Sequence, residues 1–435
     1  MDLPPQDQPQ SLADVVDLDM FKRLGIEGRS KGLHHLQGVL ARNDKGGIKP
    51  QLSNVLLIMS HDPGISGTLG YNEFSSEHLL LKAPPPMEDT AEAMPGPYPR
   101  PWGAEDVALI MSYLQRVWCD KISVQTVEQA MLTIARQNRF HPVRDWLATL
   151  KWDNQPRLKT WMKHAFGVPD DEYHEAIARK VLLAAVRRVR RPGCKFDYLL
   201  LLEGLQGIGK SRAVETLFGR EWYSDAMPPN LAERDAAMSL LAVWCLELGE
   251  IDHLIRNEVE TIKAFLSRSV DRYRPPYGKA FIERPRQGIM IGTTNSTDYL
   301  RDTTGNRRIW PVRCEFADVE WIAGNRAQLW AEAVVHEAAG DVLWLDDEHV
   351  AATAMQAQQD RMQEDVWGEP IEAWLAGRVE ARTAAILSDC LNIPKAQQDK
   401  RSQMRAGAVL AALGWRRILR RRVAGNPERV WVKEG

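Results

Sequence analysis

The chain has 435 residues, 44% of them apolar and 26% charged, and a formal net charge of −2. That length allows roughly three domains, and the charge balance excludes a polycation that grips nucleic acid with its whole surface. Five cysteines (Cys119, Cys194, Cys245, Cys314, Cys390) lie far apart without a CxxC pair, which speaks for reduced thiols in a cytoplasm and against a zinc site.

Met1-Asp2-Leu3-Pro4-Pro5 has neither the basic start nor the apolar core of a signal peptide, and no apolar run approaches the ~20 residues of a membrane helix. Met1 to Gln10 is rich in Pro and Gln and reads as disordered. Asn54 to Met59 reads as helix, and Gly67 to Asn72 as a turn entering a short strand. Seven prolines between Lys82 and Trp102 predict a loop or linker. Asp17-Leu18-Asp19 is a lone acidic pair in a helical-looking stretch and reads as a solvated face. From Gly103 to Arg191 the pattern is helical. Val107, Ile110, Met111, Leu114 and Val117 fall on one face, then Val127, Ala130, Met131 and Ile134 on another. A helix around Trp161 and a long one from Glu172 follow. The long helix ends in Arg187-Arg188-Val189-Arg190-Arg191, which either complements the helix dipole or meets phosphates. Pro192-Gly193 stops it.

Leu199-Leu200-Leu201-Leu202 reads as a strand buried on both faces. It runs into Gly204-Leu205-Gln206-Gly207-Ile208-Gly209-Lys210-Ser211, which fits G-x-x-x-x-G-K-[ST] at every fixed position, and then into a short helix from Arg212. Glycines let backbone N–H groups curl around phosphate oxygens, and a helix N-terminus adds its positive end. Gly204, Gln206, Gly207, Ile208, Gly209, Lys210, Ser211 and Arg212 are the expected nucleotide-binding residues, with Lys210 on the β- and γ-phosphates and Ser211 on Mg²⁺. A second apolar strand, Leu240 to Glu250, carries acids at its downstream end. Glu250 at its exit is the first choice to hold Mg²⁺ and orient water, and Glu247 the second. A third strand, Gly288 to Gly292, ends in Thr293-Thr294-Asn295, where Asn295 suits contact with a γ-phosphate. Arg307-Arg308, in a polar loop before an apolar strand, suit an arginine finger or a surface ion pair. Between the second and third strands, cations alternate with aromatics and prolines around Lys263, Arg272, Arg274 and Lys279. That mixture suits either a grip on nucleic acid or a solvated loop.

From about Asp365 the chain is helical and then basic. Helices at Ala381 to Leu391 and Ser402 to Leu413 precede strands at Trp415 to Val423 and Arg429 to Lys433, joined by a turn at Ala424 to Pro427. Two helices and a hairpin outline a winged helix. From Arg378 onward there are thirteen Lys/Arg against five Asp/Glu, which points to nucleic acid or to a basic structural cap.

Taken together, these stretches resemble the virulence-associated protein E family. The resemblance rests on Phe140-His141-Pro142-Val143-Arg144-Asp145, Trp152-Asp153, Pro192 to Asp197, Glu203 to Ser211, Glu247 to Glu250, Ile262 to Phe265, Asp271 to Gly278, Gly292 to Asn295 and Thr304 to Val312, in that order. Members are ATPases of phages, prophages and pathogenicity islands, similar to superfamily 3 helicases and to the helicase half of poxvirus-type primase-helicases. The resemblance implies an α/β P-loop NTPase, AAA+-like and of superfamily 3 type, acting with ATP and Mg²⁺ as a hexameric ring in a bacterial cytoplasm. It would translocate on single-stranded or forked DNA, beside a separate primase or replication protein. On that pattern Glu250 with Glu247 is the acidic motif, Asn295 the sensor, Arg307 or Arg308 the finger, and Lys263, Arg272, Arg274 and Lys279 fall in the DNA-contacting segment. The expected division is an N-terminal region over 1–102, a helical domain over 103–192, the ATPase domain over 193–347 and a basic, winged-helix-like module over 348–435. The rival expectation is an ATP-regulated DNA-binding switch for origin recognition or phage interference, which binds DNA without unwinding it.

Overall fold

A computed structural model describes residues 36–86, 96–228, 230, 231, 233–274, 280–296, 299, 300, 306–361, 367–420 and 428–433. The expectations for Met1 to Gln10, Asp17 to Asp19, Lys279, the loop residues just before Asn306 and the turn at Ala424 to Pro427 lie outside the described residues.

The N-terminal part packs α1 (Leu52–His61), α2 (Ala104–Val117) and α3 (Val124–Gln137) on a small sheet. The sheet holds β1 (Leu69–Asn72), β2 (Glu77–Leu80), β3 (Arg100–Pro101) and β4 (Arg139–Phe140), in the order β3-β2-β1-β4. Ser123 caps α3 by accepting from the Thr126 N–H, and Asp106 in the first turn of α2 takes the Gly103 N–H and a two-pronged bond from Arg100. The Pro-rich stretch is therefore not wholly irregular, since Arg100 and Pro101 pair with Leu80 and Leu79 at a sheet edge, where proline is tolerated.

The segment 103–192 contributes to two cores. The apolar faces of α2 and α3 join Val55, Ile58 and Leu80 in one cluster. Next come α4 (Pro142–Thr149), α5 (Trp161–Phe166) and α6 (Glu172–Arg190), which pack instead on the central sheet. The basic run that ends α6 is structural. Arg187 and Arg190 pair with Glu337, and Arg188 is buried with Nη2 on the Phe196 carbonyl.

The central sheet is parallel throughout, in the order β11-β5-β10-β7-β6. Its strands are β5 (Leu199–Glu203), β6 (Tyr223–Ser224), β7 (Cys245–Leu248), β10 (Ile289–Thr294) and β11 (Ile309–Arg313). The four-leucine run of β5 explains its central place. Strand side chains alternate faces, so Leu200 and Leu202 enter the core beneath α6, while Leu199 and Leu201 enter the opposite one. On the first side lie α7 (Lys210–Phe218) and α10 (Val319–Ala338), and on the second α9 (Asp252–Ser267). The strand read as starting at Leu240 is shorter, because Ser239 to Val243 form turns before Cys245. The short helix α8 (Arg234–Met238) precedes β7, and between β7 and β10, after α9, the antiparallel hairpin β8 (Val270–Tyr273) and β9 (Ile282–Pro285) projects.

Then α11 (Glu348–Gln359) packs Val350 and Ala354 into the core of the central sheet, with Gln358 donating to the Ile309 carbonyl at 2.8 Å. A separate core begins at Ile371. It joins α12 (Gly368–Leu375), α13 (Thr383–Ala385) with a π-helical turn to Cys390, and α14 (Lys400–Ala412) to a three-stranded antiparallel sheet. That sheet holds β12 (Glu380–Ala381), β14 (Glu428–Lys433) and β13 (Trp415–Arg420), in that order. No helix among the described residues is long and apolar enough to cross a membrane.

Candidate functional site

Three neighbouring strands, β5, β10 and β7, end side by side, and the motif residues hang from those ends. After Glu203 the chain turns at Gly204, whose N–H bonds the Thr294 carbonyl of β10 at 3.2 Å. Gly204 has φ +153°, and a Cβ there would lie 2.8 Å from the Cys314 carbonyl oxygen, so only glycine fits. Gly209 caps α7 in the left-handed region at φ +97°. Leu205, Gln206 and Gly207 are exposed on the loop, Ile208 and Gly209 are half-buried, and Arg212 is exposed on the first turn of α7.

Lys210 is buried. Its Nζ donates to Gly204 O at 2.8 Å, Leu205 O at 3.0 Å and Asn295 Oδ1 at 3.0 Å. All three ammonium hydrogens are thus accepted by neutral groups. Burial pulls the Lys210 pKa below its ordinary 10.5, with Cys314 and Glu247 opposing the shift. A buried ammonium without a bonded carboxylate is short of an anion, and phosphate oxygens supply one.

Glu247 is 2% exposed in the middle of an otherwise apolar strand. Three hydroxyls satisfy it. Ser211 donates to Oε1 at 2.6 Å, Thr293 to the same oxygen at 2.7 Å, and Tyr223 to Oε2. The carboxylate also drives the Tyr223 phenol upward, together with the larger effect of burial. A hydroxyl and a carboxylate side by side are hard oxygen ligands of the kind Mg²⁺ accepts next to phosphate oxygens. Of the two glutamates expected on the metal side, Glu247 is the one bonded to Ser211. Strand β7 stops at Leu248, and Glu250 sits beyond it, exposed and at φ +49°. Sequence reasoning missed Tyr223 and Thr293 as partners of Glu247. Thr293 could be found, because a hydroxyl inside an apolar strand needs a partner, whereas the two-residue β6 is too short to show alternation.

Arg307 and Arg308 part company. Arg308 Nε bonds Asp197 Oδ2 at 3.1 Å, just before β5. Burial pulls the Asp197 carboxyl up, but Arg308 and Lys195 outweigh it and hold it below its usual 3.8. Arg307 is exposed and makes no ion pair or hydrogen bond among the described residues.

The expected nucleic-acid contacts are spread over two elements. Lys263 is buried on α9, 2.8 Å from Glu260, which removes it from any open grip. Arg272 and Arg274 are exposed on the hairpin, and the Arg272 guanidinium lies 5.5 Å from the centre of the Phe281 ring.

A family model described as the virulence-associated protein E-like domain matches residues 147–363. That interval contains the parallel sheet, the glycine loop, both glutamates, Asn295 and both arginines. Among solved structures, the apo C-terminal region of NrS-1 aligns over 66% of this chain and 78% of its own, at 13% identity and a TM-score of 0.37. Its A form aligns over the same shares at 14% identity and 0.36. No curated protein matches the sequence.

Proposed function

Because the chain belongs to the virulence-associated protein E family through its central domain, we propose that it is an ATP-hydrolysing, AAA+-like motor that moves along DNA during replication of a phage or other mobile element. The observation that carries this reading is the convergence of Lys210, Ser211, Glu247 and Asn295 at three adjacent strand ends. The strand order, with the glycine-loop strand between the last strand and β10, supports the AAA+-like assignment. The cores suggest a division near residue 140 and another near 365, with a basic, winged-helix-like C-terminal module.

When bound, magnesium ATP supplies the transferable phosphoryl group and a cation that draws charge from it. The amides of the 204–209 turn and Lys210 hold the phosphates, Lys210 exchanging its carbonyl acceptors for charged oxygens. Ser211 and Glu247 hold the metal. Glu250 orients the attacking water and takes its proton, and its left-handed backbone fits that role, since such strain collects at functional sites. Asn295, bonded to Lys210, reports the state of the γ-phosphate to β10. Arg307 reaches the nucleotide of an adjoining subunit in a hexameric ring, while Arg308 anchors its loop to Asp197. The hairpin residues Arg272 and Arg274 contact DNA.

Lys210→Ala should abolish ATP turnover in a colorimetric phosphate-release assay, and normal turnover by that variant would reject the site. A fork-unwinding assay with and without ATP separates a motor from an ATP-regulated switch, because the switch binds the fork but leaves it annealed.

A further inference from the structure

A second polar cavity, of about 290 Å³, lies at the base of the β8–β9 hairpin, where it meets the β1–β2 turn and the start of α4. None of its lining residues belongs to the glycine loop or to the acids of β7. Its charged walls are Glu73, Arg144, Asp271, Arg284 and Arg286.

Four of these five are paired with one another. Arg286 grips Asp271 through Nε at 2.7 Å and Nη2 at 2.9 Å, and gives Nη1 to the Phe265 carbonyl. Arg144 pairs with Glu73, which also lies 3.7 Å from Arg139. Arg284 is left over. Its side chain makes no ion pair or hydrogen bond among the described residues, and its Nε is shut off from solvent without an acceptor. His141 adds no negative charge. Its Nδ1 accepts from the Arg144 N–H at 3.1 Å, which leaves the hydrogen on Nε2, facing Gln287 Oε1 at 2.7 Å. The partly buried Arg284 guanidinium lines the cavity with no carboxylate paired to it, and an anion in the cavity would balance its charge. The planar fork of arginine matches two oxygens of one phosphate.

We propose that this cavity is a phosphate-binding site, with Arg284 as the fork that holds a phosphate monoester. The ligand is either free phosphate or the terminal phosphate of a nucleic-acid strand passing the hairpin, and the chemistry read by Arg284 is the same. This site is separate from ATP hydrolysis.

The test uses the full chain carrying Lys210→Ala, so that the first phosphate site is weakened in every measurement. Inorganic phosphate is titrated calorimetrically, and two short single-stranded oligonucleotides that differ only in a 5′-phosphate or 5′-hydroxyl end are compared by fluorescence anisotropy. Saturable phosphate binding, or a preference for the phosphorylated end, is expected. Adding Arg284→Gln should weaken it about tenfold, with Arg284→Lys between the two. Melting of Arg284→Gln should not fall, because Arg284 surrenders no bond. Saturation by inorganic phosphate, with competition against the phosphorylated end, identifies free phosphate as the ligand, and a response to the phosphorylated strand alone identifies the strand end. A folded Arg284→Gln protein, or a folded Arg284→Lys protein should the first not fold, that binds both probes as tightly as its parent overturns the proposal. So does a parent that binds neither.

Discussion

Glu247 is an acid placed where a strand should be apolar, and three hydroxyls donate to its two oxygens. Charged hydrogen bonds of this kind are stronger than neutral ones, so the carboxylate is held in one orientation toward Ser211. Glu247→Gln should raise the Mg²⁺ concentration needed for half-maximal ATP hydrolysis. Glu250→Gln, beyond the end of β7, should retain nucleotide binding measured with a fluorescent analogue while turnover falls by about a hundredfold or more. A Glu250→Gln protein with full turnover would move the water-orienting role elsewhere. His141 is the second residue whose chemistry is set by burial. It caps α4, and burial holds its pKa below the ordinary 6.5, with Gln287 opposing and Arg144 assisting. The unfolded chain then takes up this proton first as pH falls, so the stability His141 contributes above about pH 6.5 is lost progressively below it. In His141→Asn the cap is kept and the titration removed. The melting temperature of the parent should therefore fall more steeply than that of the variant between about pH 7.5 and pH 5.5.

At the scale of elements, the β8–β9 hairpin divides its faces by the two-residue repeat of a strand. Asp271 and Tyr273 are buried, whereas Arg272 is turned outward near Phe281, which is 65% exposed. An exposed aromatic beside a guanidinium is a platform on which a base can stack. Phe281→Ala should weaken single-stranded DNA binding roughly tenfold, Phe281→Trp should preserve it, and an abasic oligonucleotide should not distinguish the two. Arg272→Ala should lower the slope of log affinity against log salt by about 1. The exposed residues of this hairpin were legible in the sequence as alternating cations and aromatics, but Lys263 was not separable from them. It lies on α9, where helical rather than strand periodicity buries it. The β5 and β10 strands were equally legible, because unbroken apolar runs have few alternatives when glycine turns bound them. Local pattern carries no information about partners far along the chain. The arginines that end α6 looked equally suited to phosphate until Glu337, about 150 residues away, appeared beside them. The choice between Glu247 and Glu250 was hidden for the same reason, since Ser211 and Thr293 reach β7 only through the sheet order.

For the whole molecule, the decisive feature is that, among the described residues, the proposed site is held together within one chain while Arg307 is left unpaired beside it. Lys210, Ser211, Glu247 and Asn295 are tied together, and Arg308 is tied to Asp197, but Arg307 stands in solvent. A surface arginine on the 3-10 turn that leads into the edge strand β11 has a fixed base and a free end. That is the mechanical requirement for reaching into a neighbour. If closed rings form, each interface takes its glycine loop from one subunit and its Arg307 from the next. Arg307→Ala alone should lower turnover by about a thousandfold without changing the melting temperature. Arg308→Ala should instead lower the melting temperature slightly, because its partly exposed pair contributes about 1 kcal/mol at most. Mixing equal amounts of Lys210→Ala and Arg307→Ala chains then gives a test that no single chain can pass. Each preparation is inactive by itself, yet about a quarter of the interfaces in a randomly mixed ring combine an intact loop with an intact arginine. Phosphate release should return to a comparable fraction of the parent rate after subunit exchange. A mixture that stays as inactive as its components would confine the reaction to a single chain and make Arg307 act on the nucleotide of its own subunit.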